Sequence, residues 1–306
     1  MSEAYLRFWG VRGSYSAPFA SHLKVGGNTS CVELRVDDHI LLCDAGTGII
    51  PFGNHVVGQS EIRELLIILT HYHWDHVCGL PFFVPAFSPD WHVSFFGPGQ
   101  NAAEIEKHVA AQMRAPYFPV GTETWMAGIE YLNPQQGGRF KYGPMTINYQ
   151  NVHHPGVTYG YRIEVNGKVV VYISDNECLF LNKNIDRRYA EFNREEQALF
   201  DEMKREEYDS ALKFMQGADV LIHDAQYTPQ DYEKKHGWGH SCYIDTVNSA
   251  IDAGVKQLYL YHHDPNYDDD QIAAIHKDSL RIVKERNSAL DCHIACEGMK
   301  VDLRKL

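Results

Sequence analysis

The segment Thr70-His71-Tyr72-His73-Trp74-Asp75-His76 contains four potential metal ligands within six residues. It comes at the end of 64–70 (ELLIILT), a nearly continuous apolar run that predicts a fully buried strand. A loop at the end of a strand can aim alternate side chains at one point, because the strand fixes where the loop starts. Imidazole and carboxylate ligands suit Zn²⁺, Mn²⁺ or Fe²⁺. The segment therefore predicts a metal site at the end of a strand.

The spacing of these four ligands favours two ions over one. Four ligating groups in six residues cannot all reach a single tetrahedral ion comfortably. Assigning His71 and His73 to one ion, and Asp75 and His76 to another, removes this difficulty. Two-metal hydrolytic sites hold their ions roughly 3.5–4 Å apart and lower the pKa of a bridging water. We therefore expect two divalent metal ions, with zinc favoured and manganese or iron as alternatives.

Hydrophobic patterns on both sides of the segment predict an α/β protein. Strand patterns alternate with helix patterns in each half of the chain. Predicted strands lie at 5–9, 31–36, 39–43, 64–70, 91–97, 144–152, 158–165, 168–174, 218–223 and 255–261, and predicted helices at 101–114, 194–216, 241–253 and 269–286. We expect a four-layer αββα sandwich in one domain over residues 1–306, with a helical insertion at about 178–216.

The amino-acid composition limits which partners the protein can bind and indicates its cellular compartment. The 306 residues carry a net charge of −12 and no lysine- or arginine-rich block, so long nucleic acid is a poor partner and a small-molecule substrate is expected. Seven scattered cysteines without a CxxC pair argue against a disulfide framework or a zinc ribbon. No apolar run predicts a membrane span, and the N-terminal residues lack a secretory signal pattern. We expect a cytoplasmic protein.

Three more motifs, together with the His-x-His-x-Asp-His pattern, carry a resemblance to a known family. They are Phe8-Trp-Gly-Val-Arg-Gly-Ser14, Gly26-Gly-Asn-Thr-Ser-Cys31 and Asp44-Ala-Gly-Thr-Gly48. Along almost its whole length the chain resembles the metallo-β-lactamase superfamily, and in particular the branch similar to ribonuclease Z and to cyclic-nucleotide phosphodiesterases. The histidine motif is specific for the superfamily and says little about the substrate. The resemblance implies a metal-dependent hydrolase and a homodimer.

The resemblance also implies the remaining metal ligands. His154 matches the third histidine of the first ion, although its neighbour His153 is an alternative, because side chains of successive extended residues point to opposite faces. Asp175 matches the carboxylate that bridges both ions. His262 matches the last ligand of the second ion, with His263 as the alternative. The expected ligand set lies in two ranges of the chain: His71, His73, Asp75 and His76 in the first, and His154, Asp175 and His262 in the second.

A second pair of residues narrows the expected reaction. Gly239-His240-Ser241 resembles the histidine motif of ribonuclease Z-like phosphodiesterases, in which a histidine assists the leaving oxygen. Asp224 falls where that branch places the carboxylate partner, although ribonuclease Z has a glutamate there. A carboxylate fixes the tautomer of an imidazole and stabilises its charged form. We expect His240, Asp224 and Asp75 to be catalytic, and Asp44 to orient a ligand or its loop.

These observations predict a dinuclear phosphodiesterase that acts on a small phosphodiester, with 3′,5′-cyclic nucleotides as the leading candidates. A metal-bridging hydroxide would attack phosphorus while His240 assists the leaving group. The alternatives are a lactone or thioester hydrolase, an RNA-processing nuclease of the ribonuclease Z type, and an iron-dependent redox enzyme. The acidic balance and the lack of a basic, glycine-rich insertion count against RNA processing.

Overall fold

The strands of the computed structural model, which describes residues 3–59, 61–134, 137–184 and 189–306, form two seven-stranded mixed sheets. The first sheet has the order β14-β1-β2-β3-β4-β5-β6. Its strands are β1 (Ala4–Gly10), β2 (Cys31–Val36), β3 (His39–Cys43), β4 (Glu64–Ile68), β5 (His92–Phe96), β6 (Gly128–Tyr131) and β14 (Lys300–Asp302). Strands β3 to β6 run parallel, whereas β14, β1, β2 and β3 pair antiparallel.

The second sheet has the order β13-β12-β11-β10-β9-β8-β7. Its strands are β7 (Arg139–Tyr142), β8 (Met145–Asn151), β9 (Tyr159–Val165), β10 (Lys168–Ile173), β11 (Val220–Asp224), β12 (Gln257–Tyr261) and β13 (Asp291–Ile294). Strands β10 to β13 run parallel, and β7 to β10 pair antiparallel. Each sheet therefore joins an antiparallel part to a parallel part.

Eight α-helices connect the strands in the described residues. They are α1 (Ile49–Gln59), α2 (Trp74–Val77), α3 (Ala102–Ala111), α4 (Phe180–Asn184), α5 (Arg194–Met215), α6 (Pro229–Tyr232), α7 (Tyr243–Asp252) and α8 (Asp269–Glu285). Asn193 and Asp268 cap α5 and α8, and each side chain accepts backbone N–H groups in a reciprocal capping box. None of the described helices combines the length and the apolar character that a membrane span needs.

Two hydrophobic clusters place the helices outside the sheets. Phe52 and Val56 of α1 and Ile105 of α3 pack with residues on the outer face of the first sheet, such as Leu42 and Ile67. The larger cluster joins the inner faces of both sheets to α7 and α8, and it contains Leu34, Ile163, Val247 and Ile282. The order helix, sheet, sheet, helix confirms the expected αββα sandwich, and the burial of apolar side chains between these layers is its main source of stability.

The structure adds elements that the sequence patterns did not predict. Helix α1, the one-turn helix α2 and the short strands β6 and β7 were absent from the expectation. The run 64–70 was predicted as one strand, but β4 ends at Ile68 and leaves the histidine segment in a loop and in α2. Between β10 and β11 the chain forms α4 and α5, where an insertion was expected at 178–216; residues 185–188 lie outside the described part.

Candidate metal centre

The candidate ligands lie where several strands end at one edge of the sandwich. His71 and His73 follow β4, and Asp75 and His76 lie in α2. In the second sheet the ligand candidates follow strand ends as well: His154 after β8, Asp175 after β10 and His262 directly after β12. Because the carboxyl ends of parallel strands meet at the same sheet edge, residues far apart in sequence converge there.

The structure brings together the first predicted set. The ligating atoms of His71, His73 and His154 all lie within 4.8 Å of one another, and His154 Nε2 lies 3.1 Å from His73 Nδ1. His71 and His154 are buried, whereas His73 is exposed. His153 points elsewhere: its Nδ1 is 3.8 Å from Glu207. The geometry therefore favours His154 over His153 as a ligand.

The second predicted set is equally close. The atoms of Asp75, His76 and His262 lie within 4.8 Å of one another. Asp75 Oδ2 is 3.3 Å from His76 Nε2 and 3.1 Å from His262 Nε2. The alternative, His263, donates from Nε2 to the carbonyl of Ala295 at 3.0 Å, and burial lowers its pKa to about 3. His263 belongs to the packing around the site, and His262 faces the cluster.

Asp175 lies between the two sets. Its Oδ1 is 3.1 Å from His76 Nε2, and its Oδ2 is 3.4 Å from His262 Nε2. The same Oδ2 is 3.8 Å from Nε2 of both His71 and His154. One carboxylate thus faces ligands of both sets, which is the placement that a bridging ligand requires.

Unsatisfied buried atoms show that this donor set fits metal ions. His71 Nε2, His76 Nε2 and Asp175 Oδ1 are buried and make no well-formed hydrogen bond among the described residues; the 3.1 Å approach between the last two lacks hydrogen-bond geometry. Buried polar atoms are normally paired, so three orphans that point into one cluster indicate a missing partner. Nitrogen and carboxylate oxygen donors suit Zn²⁺, Mn²⁺ and Fe²⁺. The residues present therefore fit a pair of divalent cations.

The protonation states of His71, His73, His154 and Asp175 agree with this conclusion. Burial lowers the pKa of His71 and His154, and partial loss of solvent together with the neighbouring His154 lowers the pKa of His73, so these imidazoles are neutral at neutral pH. Burial alone would raise the pKa of Asp175, but the surrounding histidines hold it well below its usual range. Neutral imidazoles and ionised carboxylates are the forms that bind metal ions.

Hydrogen bonds behind the ligands fix which ring nitrogen faces the cluster. Nδ1 of His76 donates to Asp44 Oδ2 at 2.8 Å, and Nδ1 of His154 donates to the carbonyl of Gly239 at 2.8 Å. Nδ1 of His262 donates to Gln226 Oε1 at 2.9 Å. Each of these rings therefore presents Nε2 to the cluster.

Asp44 is a buried acceptor, as its expected orienting role requires. Besides His76, it accepts hydrogen bonds from the hydroxyl of Tyr172 at 2.8 Å and from Thr70 N at 2.8 Å. Its side chain is completely buried, and Thr70 directly precedes the histidine segment. Asp44 thereby connects one ligand to the start of the ligand loop and to the second sheet.

His240 and Asp224 form a pair beside the two ligand sets. His240 Nδ1 lies 2.7 Å from Asp224 Oδ2, and both residues are buried. The His240 ring stacks on His262 at 4.9 Å and meets His154 edge-on at 5.0 Å. Since Nδ1 is hydrogen-bonded to Asp224, Nε2 is the ring nitrogen that could contact a bound molecule. The pair that the sequence singled out is therefore assembled next to a histidine of each set.

Competing effects set the protonation of this pair. Burial raises the pKa of Asp224 and lowers the pKa of His240, which favours the neutral form of both groups. Against burial, Asp224 accepts backbone N–H groups from Gln226 at 2.9 Å, Asn176 at 3.2 Å and Ser241 at 3.3 Å. Those donors stabilise a carboxylate, and the carboxylate in turn stabilises a proton on His240.

The loop that carries His240 is fixed by Glu177, which the sequence did not reveal. Glu177 is buried, and its carboxylate accepts N–H groups from Gly237 at 3.0 Å and Gly239 at 2.9 Å, and the Tyr232 hydroxyl at 2.7 Å. Gly239 has φ +86°, and a Cβ there would lie 2.4 Å from His154 Nδ1. Only glycine fits this close approach without strain. The Gly-His pattern at 239–240 was the only local signal.

A loop that is distant in sequence orients the carboxylate of Asp75. The backbone N–H of Ser14 donates to Asp75 Oδ2 at 2.7 Å. The preceding Gly13 must also be small, since a Cβ there would lie 2.3 Å from His262 Cε1. Part of the Phe8–Ser14 motif therefore supports the second ligand set, although the sequence pattern alone did not show why.

Fold and ligand geometry together define a metal-dependent hydrolase of the metallo-β-lactamase fold. The chain belongs to the β-lactamase superfamily, because the family model described as "Beta-lactamase superfamily domain" matches residues 39–193. This match covers the ligand positions from His71 to Asp175. It confirms the superfamily resemblance and the hydrolase class.

Two relatives that match most of the chain are both named ribonuclease Z. A ribonuclease Z of Picrophilus torridus is 21% identical over 287 residues, covering 86% of this chain and 87% of its own. A ribonuclease Z of Thermoplasma acidophilum is 25% identical over 299 residues, covering 89% and 90%. Among solved structures, the metallo-β-lactamase fold protein YhfI from Bacillus subtilis superposes with a TM-score of 0.66 at 19% identity, covering 99% of this chain and 100% of its own. That structural likeness confirms the fold.

Proposed function

We propose that the protein hydrolyses a small phosphodiester, with 3′,5′-cyclic nucleotides as the leading candidates and with two divalent ions, zinc favoured, as cofactors. The observation that carries the proposal is the His240–Asp224 pair at 2.7 Å beside both ligand sets. A sugar alkoxide is a poor leaving group and needs a proton as it departs. The thiolate that a thioester hydrolase expels leaves more readily, so that reaction has less need for this pair.

The residues of the site would divide the reaction among them. Two bound divalent ions would lower the pKa of a water molecule and neutralise charge on the phosphate oxygens. His71, His73 and His154 would hold one ion, Asp75, His76 and His262 the other, and Asp175 both. Water adds to phosphorus and loses a proton to the solvent, and the bond to the leaving sugar oxygen breaks. Nε2 of His240 gives that oxygen its proton, while Asp224 stabilises the imidazolium that supplies it.

A second candidate, cleavage of an RNA phosphodiester, is favoured by the name that the relatives share. The same site chemistry serves both substrates. Two features support the small substrate: the net charge is −12, and acidic residues outnumber basic ones in α5, the long helix inserted between β10 and β11. A protein that grips RNA needs basic side chains to neutralise phosphates.

The deciding experiment compares substrates on protein whose two metal ions have been verified by elemental analysis. Bis(p-nitrophenyl) phosphate, cyclic AMP, cyclic GMP and a precursor transfer RNA are assayed side by side. We expect turnover of the first compound and of at least one cyclic nucleotide. Faster cleavage of the precursor RNA would favour the second candidate, and no turnover of any of the four would refute phosphodiester hydrolysis.

A further inference from the structure

A cleft of about 490 Å³ opens directly beside the first ligand set. His71 and His73 form part of its lining, so the cleft is continuous with the metal centre. The rest of the lining comes from Tyr72, from residues 98–100 before α3, from Glu104 and His108 of α3, and from residues 155–157 and Tyr159 before and at the start of β9. The volume lies within the range of about 300–1,000 Å³ that small-molecule sites occupy.

Several side chains that line this cleft carry planar rings. Tyr72, His108 and Tyr159 all line it. The rings of Tyr72 and His108 stack at 4.6 Å with 30° between their planes. The Tyr72 hydroxyl donates to the carbonyl of Pro98 at 2.8 Å, which fixes the ring. The cleft therefore offers flat, preorganised aromatic surfaces next to the metal centre.

The charged residues that line the cleft make a phosphate group, beyond the one at the metal centre, a poor occupant. None of the residues that line it, in the part of the chain described, is lysine or arginine. Its one carboxylate, Glu104, accepts the backbone N–H of Gln100 at 2.7 Å and lies 3.7 Å from His108 Nε2. An anion would find no cationic side chain here, whereas a neutral planar ring with N–H groups at its edge would find both stacking surfaces and a hydrogen-bond acceptor.

We propose that this cleft binds the nucleobase of the substrate, so that the attached phosphodiester reaches the metal centre. The proposal rests on the proposed function, because it names the chemical group that accompanies the scissile phosphate. Stacking of a base on an aromatic side chain is sequence-tolerant, and its loss weakens binding roughly 10-fold. His108 and Tyr159 are the residues that set this preference, since neither is a candidate metal ligand.

Calorimetric titration of the metal-loaded protein tests the proposal without turnover. The probes are adenosine and guanosine 5′-monophosphate, with ribose 5-phosphate as the compound that lacks a base. We expect the nucleotides to bind at least 10-fold more tightly than ribose 5-phosphate. His108→Ala and, separately, Tyr159→Leu should remove most of that difference, while the exposed His92→Ala on β5 should not. Equal affinity for all three probes, or nucleotide affinity unchanged in both cleft variants, would overturn the proposal.

Steady-state kinetics distinguish a free nucleotide from the base of an RNA chain. If His108→Ala raises KM for cyclic GMP or cyclic AMP about 10-fold, the base belongs to a small nucleotide; a rise for precursor transfer RNA alone assigns it to RNA. Turnover with KM unchanged for both would overturn base binding and leave phosphodiester hydrolysis intact. Base-dependent binding in the calorimeter without any turnover would support base binding and refute phosphodiester hydrolysis.

Discussion

If His240 protonates the leaving oxygen as proposed, the effect of replacing it depends on the leaving group. Its Nδ1 is held by Asp224 and its ring lies against His262, so Nε2 is the atom that can reach a departing oxygen. A sugar oxygen has a high pKa and needs a proton, whereas p-nitrophenolate leaves readily without one. The same substitution should therefore affect two substrates unequally.

We predict that His240→Ala lowers kcat for a cyclic nucleotide by roughly 10²–10³, and lowers kcat for bis(p-nitrophenyl) phosphate by less than about 10-fold. Asp224→Asn should follow the same pattern, because it disturbs the tautomer of the imidazole. The measurement is steady-state kinetics on protein with verified metal content. Equal losses on both substrates, with both metal ions retained, would show that His240 does not act on the leaving group.

His223 makes the folded protein sensitive to acid. The residue is buried, its Nδ1 donates to the carbonyl of Asp224 at 2.8 Å, and Asn176 Nδ2 lies 3.3 Å from its Nε2. Burial lowers its pKa from 6.5 to about 4. The unfolded chain therefore takes up a proton near pH 6.5 that the folded protein refuses until about pH 4.

We predict that this one group costs about 3 kcal/mol of stability as the pH falls from above 6.5 to about 4, at 1.36 kcal/mol for each pH unit. The contribution is fully present above pH 6.5 and is lost on acidification. His223→Gln should unfold in less urea than the wild type at pH 7.5, but its midpoint should fall less between pH 7.5 and 5. The exposed His92→Gln should behave like the wild type. A variant with undiminished acid sensitivity would contradict the assignment.

At the scale of elements, the loop 237–240 depends on one carboxylate from the end of another strand. Glu177 follows β10 and accepts two backbone N–H groups of this loop. The carbonyl of Gly239 in turn accepts a hydrogen bond from His154. The loop is thus held from both sides, and the position of His240 relative to the ligands follows from these contacts.

We predict that Glu177→Gln lowers kcat roughly 10-fold with little change in KM, because the amide offers one acceptor where the carboxylate offered two. The loss should be larger for a cyclic nucleotide than for bis(p-nitrophenyl) phosphate, as for His240→Ala. Glu207→Gln is the matched control, since its carboxylate contacts Leu181 N, outside this loop. A loss that does not depend on the leaving group would indicate a purely structural role.

Helix α1 shows why part of the fold escaped prediction from sequence. Its residues, IIPFGNHVVGQ, include a proline, two glycines and several β-branched residues, all of which disfavour helix formation. Burial of Phe52 and Val56 against the first sheet overrides this local preference. The capped helices α5 and α8 are the contrast, because their capping boxes and periodic apolar residues are local signals and both were predicted within one residue.

The sequence predicted those site residues that belong to motifs. It did not predict those that act through contacts with residues distant in sequence. The histidine segment and the residues matched through the resemblance all converge in the structure. Glu177 and Gln226 went unnoticed and the role of Gly13 was not foreseen, because each supports the site through contacts with residues distant in sequence. No periodicity or spacing reports such contacts, since they exist only once the two sheets have packed.

At the scale of the whole molecule, the ligand sets connect the two sheets. His71, His73, Asp75 and His76 belong to the first half of the sandwich, and His154, Asp175 and His262 to the second. Bound metal ions would therefore link both halves, and binding to the folded state alone adds stability in proportion to the logarithm of metal concentration.

We predict that removing the metal ions with a chelator lowers the thermal unfolding midpoint, with a loss of about 2.7 kcal/mol for each site when the free metal stands at 100 times its Kd. Readdition of Zn²⁺ should restore the midpoint. In Asp175→Asn, which lacks the carboxylate between the sets, the difference between metal-loaded and chelated protein should shrink. Identical unfolding of the wild type with and without metal would show that the cluster does not bind ions in the folded state.

The edge strands of both sheets affect how copies of this protein can associate. Strands β14 and β6 border the first sheet, and β13 and β7 the second; each is only three or four residues long and carries charged side chains such as Lys300, Glu130, Asp291 or Lys141. Short, charged borders resist pairing with a neighbouring sheet. We therefore expect self-association, including the predicted homodimer, to use side-chain surfaces, and loss of β14 to expose the apolar β1 to aggregation.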